Sequence, residues 1–144
     1  HQKGVLHRDI KPSNILLEPR RGGEGDEFPF TPMLSDFGLA RLEDDPGTLT
    51  VSGTIVGTAQ YMAPEQASAD PHIDHRADIY SVGAIAYELL TGRPPFLGTT
   101  PQMILSAHMT DTPEPVTKYR ESVPPALEQL VLKCLEKKAA DRKK

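Results

Sequence analysis

The sequence holds one cysteine, Cys134, in 144 residues, so no internal disulfide can form and a reducing compartment is the simpler setting. It has no excess of positive charge. Lys and Arg number 16 against 20 Asp and Glu, which gives a formal charge of −4 and a pI near 5.7. That balance argues against a general nucleic-acid or anionic-membrane surface, although a local basic patch would escape it. Long apolar runs are absent too. The longest, Ile79 to Leu90, is broken by Ser81 and Glu88 and is shorter than the ~20 residues that cross a bilayer. There are no internal repeats. No methionine stands first, and chemistry-bearing residues begin within the first ten positions, so the chain is expected to be a piece of something longer. These absences lead to an expectation of a cytoplasmic protein that is not itself in contact with membrane. Any anchoring would come from segments outside the sequence. The length suits one domain with a real core, and the composition, 38% hydrophobic and 25% charged, is ordinary for a globular protein.

What is present is organised around His7-Arg8-Asp9-Ile10-Lys11-Pro12-Ser13-Asn14, which puts an acid, a base and an amide into eight residues. Pro12 forbids a helix there, so this is a loop. Asp36-Phe37-Gly38 begins twenty-two positions after Asn14, and Ala63-Pro64-Glu65 follows. Each landmark alone is an unremarkable polar loop. In this order they form the signature set of the catalytic half of a protein kinase. The chain resembles the C-terminal lobe of that family. The block Gly57-Thr58-Ala59-Gln60-Tyr61 with Pro64-Glu65-Gln66-Ala67 is similar to that of bacterial serine/threonine kinases of the eukaryotic-like type.

The resemblance implies the following roles. Asp9 is the base that orients the attacking hydroxyl and accepts its proton. Lys11 reaches the transferring phosphate, and its position marks serine/threonine rather than tyrosine kinases. Asn14 and Asp36 are hard oxygen donors for Mg²⁺ (or Mn²⁺) bridging ATP phosphates. Lys11, Ser13, Asn14, Leu16 and Asp36 contact the nucleotide. Thr58 hydrogen-bonds both Asp9 and Lys11. Phe37 is an apolar plug, and Gly38 lets it swing. Residues 36–65 form the activation segment. In it Arg8 would pair with a phosphorylated hydroxyl, with Thr54 first and Thr50 and Thr48 next as candidates. Asp78 holds the backbone of His7 and Arg8, and Glu65 pairs with Arg142. The implied partners are protein substrates with serine or threonine acceptors and the chain's own first lobe. In the family that lobe carries the glycine-rich loop, the strand lysine and the adenine-binding hinge upstream of the residues given. Without them the 144 residues alone are expected to have little or no activity and to expose apolar surface. A non-catalytic docking module is the alternative. Intact Asp9, Lys11, Asn14 and Asp36 argue against it.

The fold class implied is α+β: a mainly helical kinase lobe with short β-hairpins at the cleft. His1 to Leu6 reads as the tail of a helix, and Ile15-Leu16-Leu17 as a buried strand. Residues 18–32 exceed the family's usual spacing and read as an inserted surface loop, with Phe28 and Phe30 packing down onto the lobe. Gly22-Gly23-Glu24-Gly25 lacks the context of a phosphate loop. His72 and His75, near Asp70, Asp74 and Asp78, raise a metal site, but two loop histidines three apart are ordinarily solvated. The spacing of Ile79, Val82, Ile85, Leu89 and Leu90 predicts a helix over about 78–91, ended by Gly92, and the resemblance implies that it is the lobe's central helix, buried on most sides. Gly83, Ala84 and Ala86 would allow neighbours close. Further helices are expected over about 100–108, with Met103, Ile104 and Ala107 inward, and about 125–136, with Leu127, Leu130, Val131, Cys134 and Leu135 on one stripe. Cys134 reads as a small core residue.

Overall fold

In the computed structural model, residues 6–19, 29–36 and 57–142 are described. Phe28, Phe37, Gly38, Thr48, Thr50, Thr54, the Gly22–Gly25 run and the expected helix tail before Leu6 lie outside them. Described residues form a mostly helical α+β unit with one two-stranded sheet. After the loop, Pro12–Asn14 makes a single 3₁₀ turn, since proline suits a first helical position. β1 (Ile15–Pro19) then pairs antiparallel with β2 (Phe30–Leu34), with Ile15 opposite Leu34 and Leu17 opposite Pro32. Among the described residues the sheet has two strands, so each is an edge strand, which is where a strand proline is tolerated. The extra length between Asn14 and Asp36 thus enters partly as hairpin: Glu18, Pro19, Phe30, Thr31 and Pro32 are strand, not loop. The strand is not buried. Leu16 and Leu17 are both more than half exposed, as are large parts of Met33 and Leu34, and Phe30 faces outward rather than packing down. Apolar sequence alone does not show whether anything covers a hairpin.

Among the described residues, after helical residues at 57–59, come four helices: α1 (Pro64–Ala67), α2 (Arg76–Thr91), α3 (Pro101–Thr110) and α4 (Pro125–Cys134). Thr100 caps α3, its hydroxyl accepting from the Met103 amide at 3.3 Å, with Pro101 behind it. Gly92 ends α2 at φ 77°, a left-handed position that favours glycine. α2 packs on α4 and on a 3₁₀ turn at Val116–Lys118, and α1 packs on α3. No helix among the described residues is long and apolar enough to cross a membrane.

α2 has two working faces. Ala77, Tyr80, Ala84 and Tyr87, at spacings of three and four, join Val116, Val123, Val131 and Leu135 in the core. Asp78, Ser81 and Glu88 lie on the adjoining stripe and turn towards the site. Val82 and Leu89 are exposed, the latter 76%, so the aliphatic spacing locates the helix but not its inward face. The inward positions belong to Tyr80 and Tyr87, whose rings bury large area, and the Tyr80 hydroxyl keeps a partner in His108. A similar shift affects α3 and α4. Ile104, Ala107, Val131 and Leu135 are buried, Met103, Leu127 and Leu130 are not, and Cys134 is half-buried.

α2 and α4 approach closely at Gly83. A Cβ there would stand 2.6 Å from Cys134 Cβ and 3.4 Å from the Cys134 carbonyl carbon. Neither is the end of a flexible side chain. Gly83→Ala is therefore expected to destabilise the fold by about 1–3 kcal/mol despite alanine's better helix propensity. A lower urea midpoint at unchanged m-value would show it, and an equal or higher midpoint would contradict this packing.

One core residue is a histidine. His108 is fully buried on α3, edge-on to Tyr80 at 5.5 Å and Phe96 at 4.9 Å between ring centres. Burial and then the nearby Lys137 charge push it from the ordinary 6.5 to about 4, against the opposing pull of its bond to the Gln60 carbonyl. The folded value is the lower one, so the fold favours the neutral ring. The stability this gives is complete above pH 6.5 and is lost as the pH falls towards 4, by roughly 3 kcal/mol. Urea midpoints at pH 7 and 5 should diverge for the natural protein and diverge less for His108→Gln. Parallel behaviour of the two proteins would contradict this.

Candidate active site

The loop His7–Asn14 is held by side chains from elements far along the chain. The buried Asp78 carboxylate, in the first turn of α2, accepts from the His7 amide at 3.0 Å and the Arg8 amide at 2.9 Å. A helix N-terminus favours an acid there, and the two amides give it a further role. Gln66 of α1 donates to the Arg8 carbonyl at 2.7 Å, and its side-chain oxygen accepts from the Ala63 amide at 3.1 Å. Arg8 sits at φ 63°, a costly backbone state for a residue with a Cβ. Both of its backbone polar groups are pinned from outside, which sustains that state and sets the direction of Asp9. The Arg8 side chain itself is exposed.

His7 fixes the far wall. Its Nε2 donates to the Ser35 carbonyl at 2.8 Å, which leaves Nδ1 to accept from the Asp9 amide at 3.4 Å. Asn14 is buried, and its amide nitrogen donates to the Asp9 carbonyl at 2.8 Å and to Asp9 Oδ2 at 3.2 Å. The Asn14 side-chain oxygen is thereby left as an acceptor. Lys11 Nζ lies 3.0 Å from Asp9 Oδ2 and donates to Thr58 Oγ1 at 3.1 Å. The Thr58 hydroxyl thus joins Asp9 through the Lys11 ammonium rather than by a direct bond. Lys11, Pro12 and Ser13 form one wall of an open cleft of about 310 Å³, and Gly57, Thr58 and Gln60 the other.

Asp36 is brought near by the hairpin. Asn14 precedes β1 and Ser35 follows β2, so the register Ile15 to Leu34 sets them at the same end. The Ser35 amide donates to the Asn14 carbonyl at 2.9 Å, and Asp36 follows, exposed and at φ 57°. Leu16 lies further along β1, exposed, and Ser13 is exposed at the cleft mouth. Asp70 and Asp74 bond residues near in sequence. Asp70 accepts from the His72 amide and Asp74 from Arg76, whose guanidinium holds the Asp74 carboxyl down to about 2. Among the described residues no group of three His, Cys, Asp or Glu could hold a metal ion.

Glu65 meets Arg142 across 77 positions in a two-pronged pair, at 2.5 and 2.8 Å. Arg142 also donates to the carbonyls of Arg76, Glu136 and Lys137, so all five of its N–H groups are used. It lies 4.8 Å over the Tyr80 ring. Four positioning residues were given no role by the sequence, although Tyr61 and Gln66 stand in its motif blocks: Gln66, Ser35, Tyr61 and Ser81. Ser81 donates to the Tyr61 carbonyl at 2.7 Å, and the Tyr61 hydroxyl donates to Glu88 at 2.5 Å. Burial, then that carboxylate, raises the Tyr61 phenol well above its ordinary range. Only the period of α2, which puts Ser81 and Glu88 on the Asp78 stripe, could have pointed to the last two contacts.

The family model for the protein kinase domain matches residues 1–144. Over 99% of its length the chain is 44% identical to the serine/threonine-protein kinase pkn3 of Myxococcus xanthus, covering 26% of that protein. It is 38% identical, again over 99%, to the serine/threonine-protein kinase PknB of Mycobacterium leprae, covering 21% of it. The chain thus spans about a fifth to a quarter of the length of these curated relatives. With a whole-length match, and with Asp9 joined to Asn14 and, through Lys11 at the cleft wall, to Thr58, the chain belongs to the protein kinase family.

Proposed function

We propose that the protein containing this chain transfers the γ-phosphate of ATP to serine and threonine hydroxyls of proteins. One observation carries the reading: Lys11 Nζ sits 3.0 Å from Asp9 Oδ2 and 3.1 Å from Thr58 Oγ1, at the wall of an open cleft. A single cation is thereby fixed beside the carboxylate that would take the proton. In the transfer the acceptor oxygen bonds to the γ-phosphorus while the bond to the β-bridging oxygen breaks. ADP leaves, and the hydroxyl proton passes to Asp9. Lys11 neutralises charge where the phosphate crosses, and Asn14 holds Asp9 in line from below.

The oxygens of Asn14 and Asp36 fit a hard divalent cation. Asn14 has committed its nitrogen to Asp9, and Asp36 stands at the same end of the hairpin. Bound there, Mg²⁺ would neutralise the ATP phosphates. Substrate proteins enter by the open face between Lys11 and Thr58, and an ATP-using reaction sets the protein in the cytoplasm. The 144 residues alone are inactive in this reading, because a kinase also needs the glycine-rich loop and strand lysine. The test is phosphoamino-acid analysis after incubating the full-length protein with γ-labelled ATP, Mg²⁺ and mixed protein acceptors. Phosphoserine and phosphothreonine are expected. Phosphotyrosine alone would contradict the reading, as would no transfer by folded protein.

A further inference from the structure

The helical turn at 57–59 and the residues up to Tyr61 carry Thr58 and form one wall of the cleft. The bonds from the Tyr61 amide to Thr58 and from the Met62 amide to Ala59 are long, at 3.3 and 3.4 Å. Two shorter tethers come from outside and seize adjacent carbonyls. Ser81 of α2 takes that of Tyr61 at 2.7 Å, and His108 Nε2 of α3 takes that of Gln60 at 3.0 Å. A carbonyl only accepts, so the His108 proton is on Nε2. Nδ1 must then accept, and the Tyr80 hydroxyl donates to it at 2.8 Å. Both ring nitrogens are used, each in one role.

The ring is also braced on every side. Tyr80 and Phe96 meet it edge-on. Lys137, which follows α4, donates to the carbonyls of Ala107 and His108 at 3.3 and 2.9 Å and lies 4.2 Å over the Phe96 ring. These are last-turn carbonyls of α3, where a cation is favoured, and that of Ala107 also accepts from the Asp111 amide at 2.9 Å. On the far side of Tyr80 stands Arg142, paired with Glu65. A core position that needed only to fill space would be met by an aliphatic residue. One that binds a carbonyl and a hydroxyl at once has another task.

We propose that His108 is a positioning residue for the protein substrate: through the Gln60 carbonyl it fixes the turn that carries Thr58 and so sets the Lys11 cleft. This rests on the kinase reading and adds a residue distant from the reacting atoms. His108 touches neither Lys11 nor Asp9. It acts on the wall that faces the acceptor protein, not on the Asn14 and Asp36 end where nucleotide phosphates would lie.

The test uses the full-length protein, with His108→Phe, which keeps the ring and removes both hydrogen bonds, and His108→Gln, which keeps an N–H near Nε2. His108→Phe is expected to raise KM for a peptide acceptor about five- to tenfold while KM for ATP stays within about twofold, the scale of one or two lost hydrogen bonds. His108→Gln should recover most of the loss. Hydrogen exchange at the Tyr61 and Met62 amides should quicken in His108→Phe and not in His108→Gln. Equal rises in both KM values would overturn the proposal. So would a lower melting temperature with peptide KM and exchange unchanged, or a Gln variant as impaired as Phe. If the natural protein transfers no phosphate, the kinase reading fails, and exchange at the two amides decides the positioning role by itself. Should His108→Phe not fold, Tyr80→Phe, which removes only the hydroxyl seating Nδ1, carries the comparison. Faster exchange with a higher peptide KM supports the tether, and no change in either overturns it.

Discussion

Asparagine in place of Asp9 should lower kcat for phosphoryl transfer by the full-length protein about 10²–10⁴-fold, the range for loss of a positioned proton acceptor. The substitution is close in shape, so what it removes is charge and basicity. Its effect on the loop should be small, because the loop is held by other atoms. Asp78 and Gln66 pin the Arg8 backbone, and Asn14 holds the Asp9 carbonyl at 2.8 Å. What Asp9→Asn does lose is the 3.0 Å ion pair with Lys11, which is left with the Thr58 hydroxyl. KM for ATP should therefore stay near that of the natural protein, with the loss in kcat. That split marks an interaction used in the transition state rather than in binding. A variant that kept kcat and lost only ATP affinity would remove Asp9 from the role of base.

The largest stability effect is expected at Arg142. Its side chain is fully buried and all five N–H groups are used, while Glu65 is 12% exposed. Arg142→Met keeps apolar volume but leaves the Glu65 carboxylate and three backbone carbonyls without their donor. Breaking such a pair from one side costs about 3–5 kcal/mol, mostly from the charge left behind. Against a domain stability of roughly 5–15 kcal/mol this is a large share. Arg142→Lys should not restore it, because one ammonium cannot meet two carboxylate oxygens and three carbonyls at these angles. The paired change Glu65→Gln with Arg142→Met should cost less than the sum of the single changes. Denaturant midpoints for the four proteins check this. A loss below about 1 kcal/mol for Arg142→Met would place the pair with exposed ion pairs, which contribute little.

The contacts legible in the sequence were those between residues of unlike type that a fixed chemistry demands. Asp78 on the His7 and Arg8 amides, Glu65 on Arg142 and Lys11 on Thr58 could each be named from their motif places. Thr100 and Gly92 mark helix ends by local chemistry and could be read without tertiary context. The class of fold followed from the family resemblance that these motifs carry. What could not be read was which apolar residues point inward. Val82, Leu89, Leu127 and Leu130 fit helical stripes yet are exposed, whereas Tyr80 and Tyr87 fill the centre of the core. Periodicity gives a helix and a stripe. Which stripe is inward depends on where α4 and the turn at Val116 come to rest. The strand at Ile15–Pro19 makes the same point, because an apolar run does not say whether a sheet is covered. Gln66, Ser81 and His108 escaped for another reason. Each acts on a backbone carbonyl or amide, and a backbone group leaves no trace in the identity of its residue.

The most direct test of the proton-acceptor assignment is labelled γ-phosphate transfer from Mg²⁺-ATP by the full-length protein, natural and Asp9→Asn, at equal folding and equal nucleotide binding. The natural protein should transfer phosphate to serine or threonine, and the variant should not within the same time. Equal transfer by both would remove Asp9 from the chemistry. No transfer by either would leave Asp9, Lys11, Asn14 and Asp36 without the reaction proposed for them.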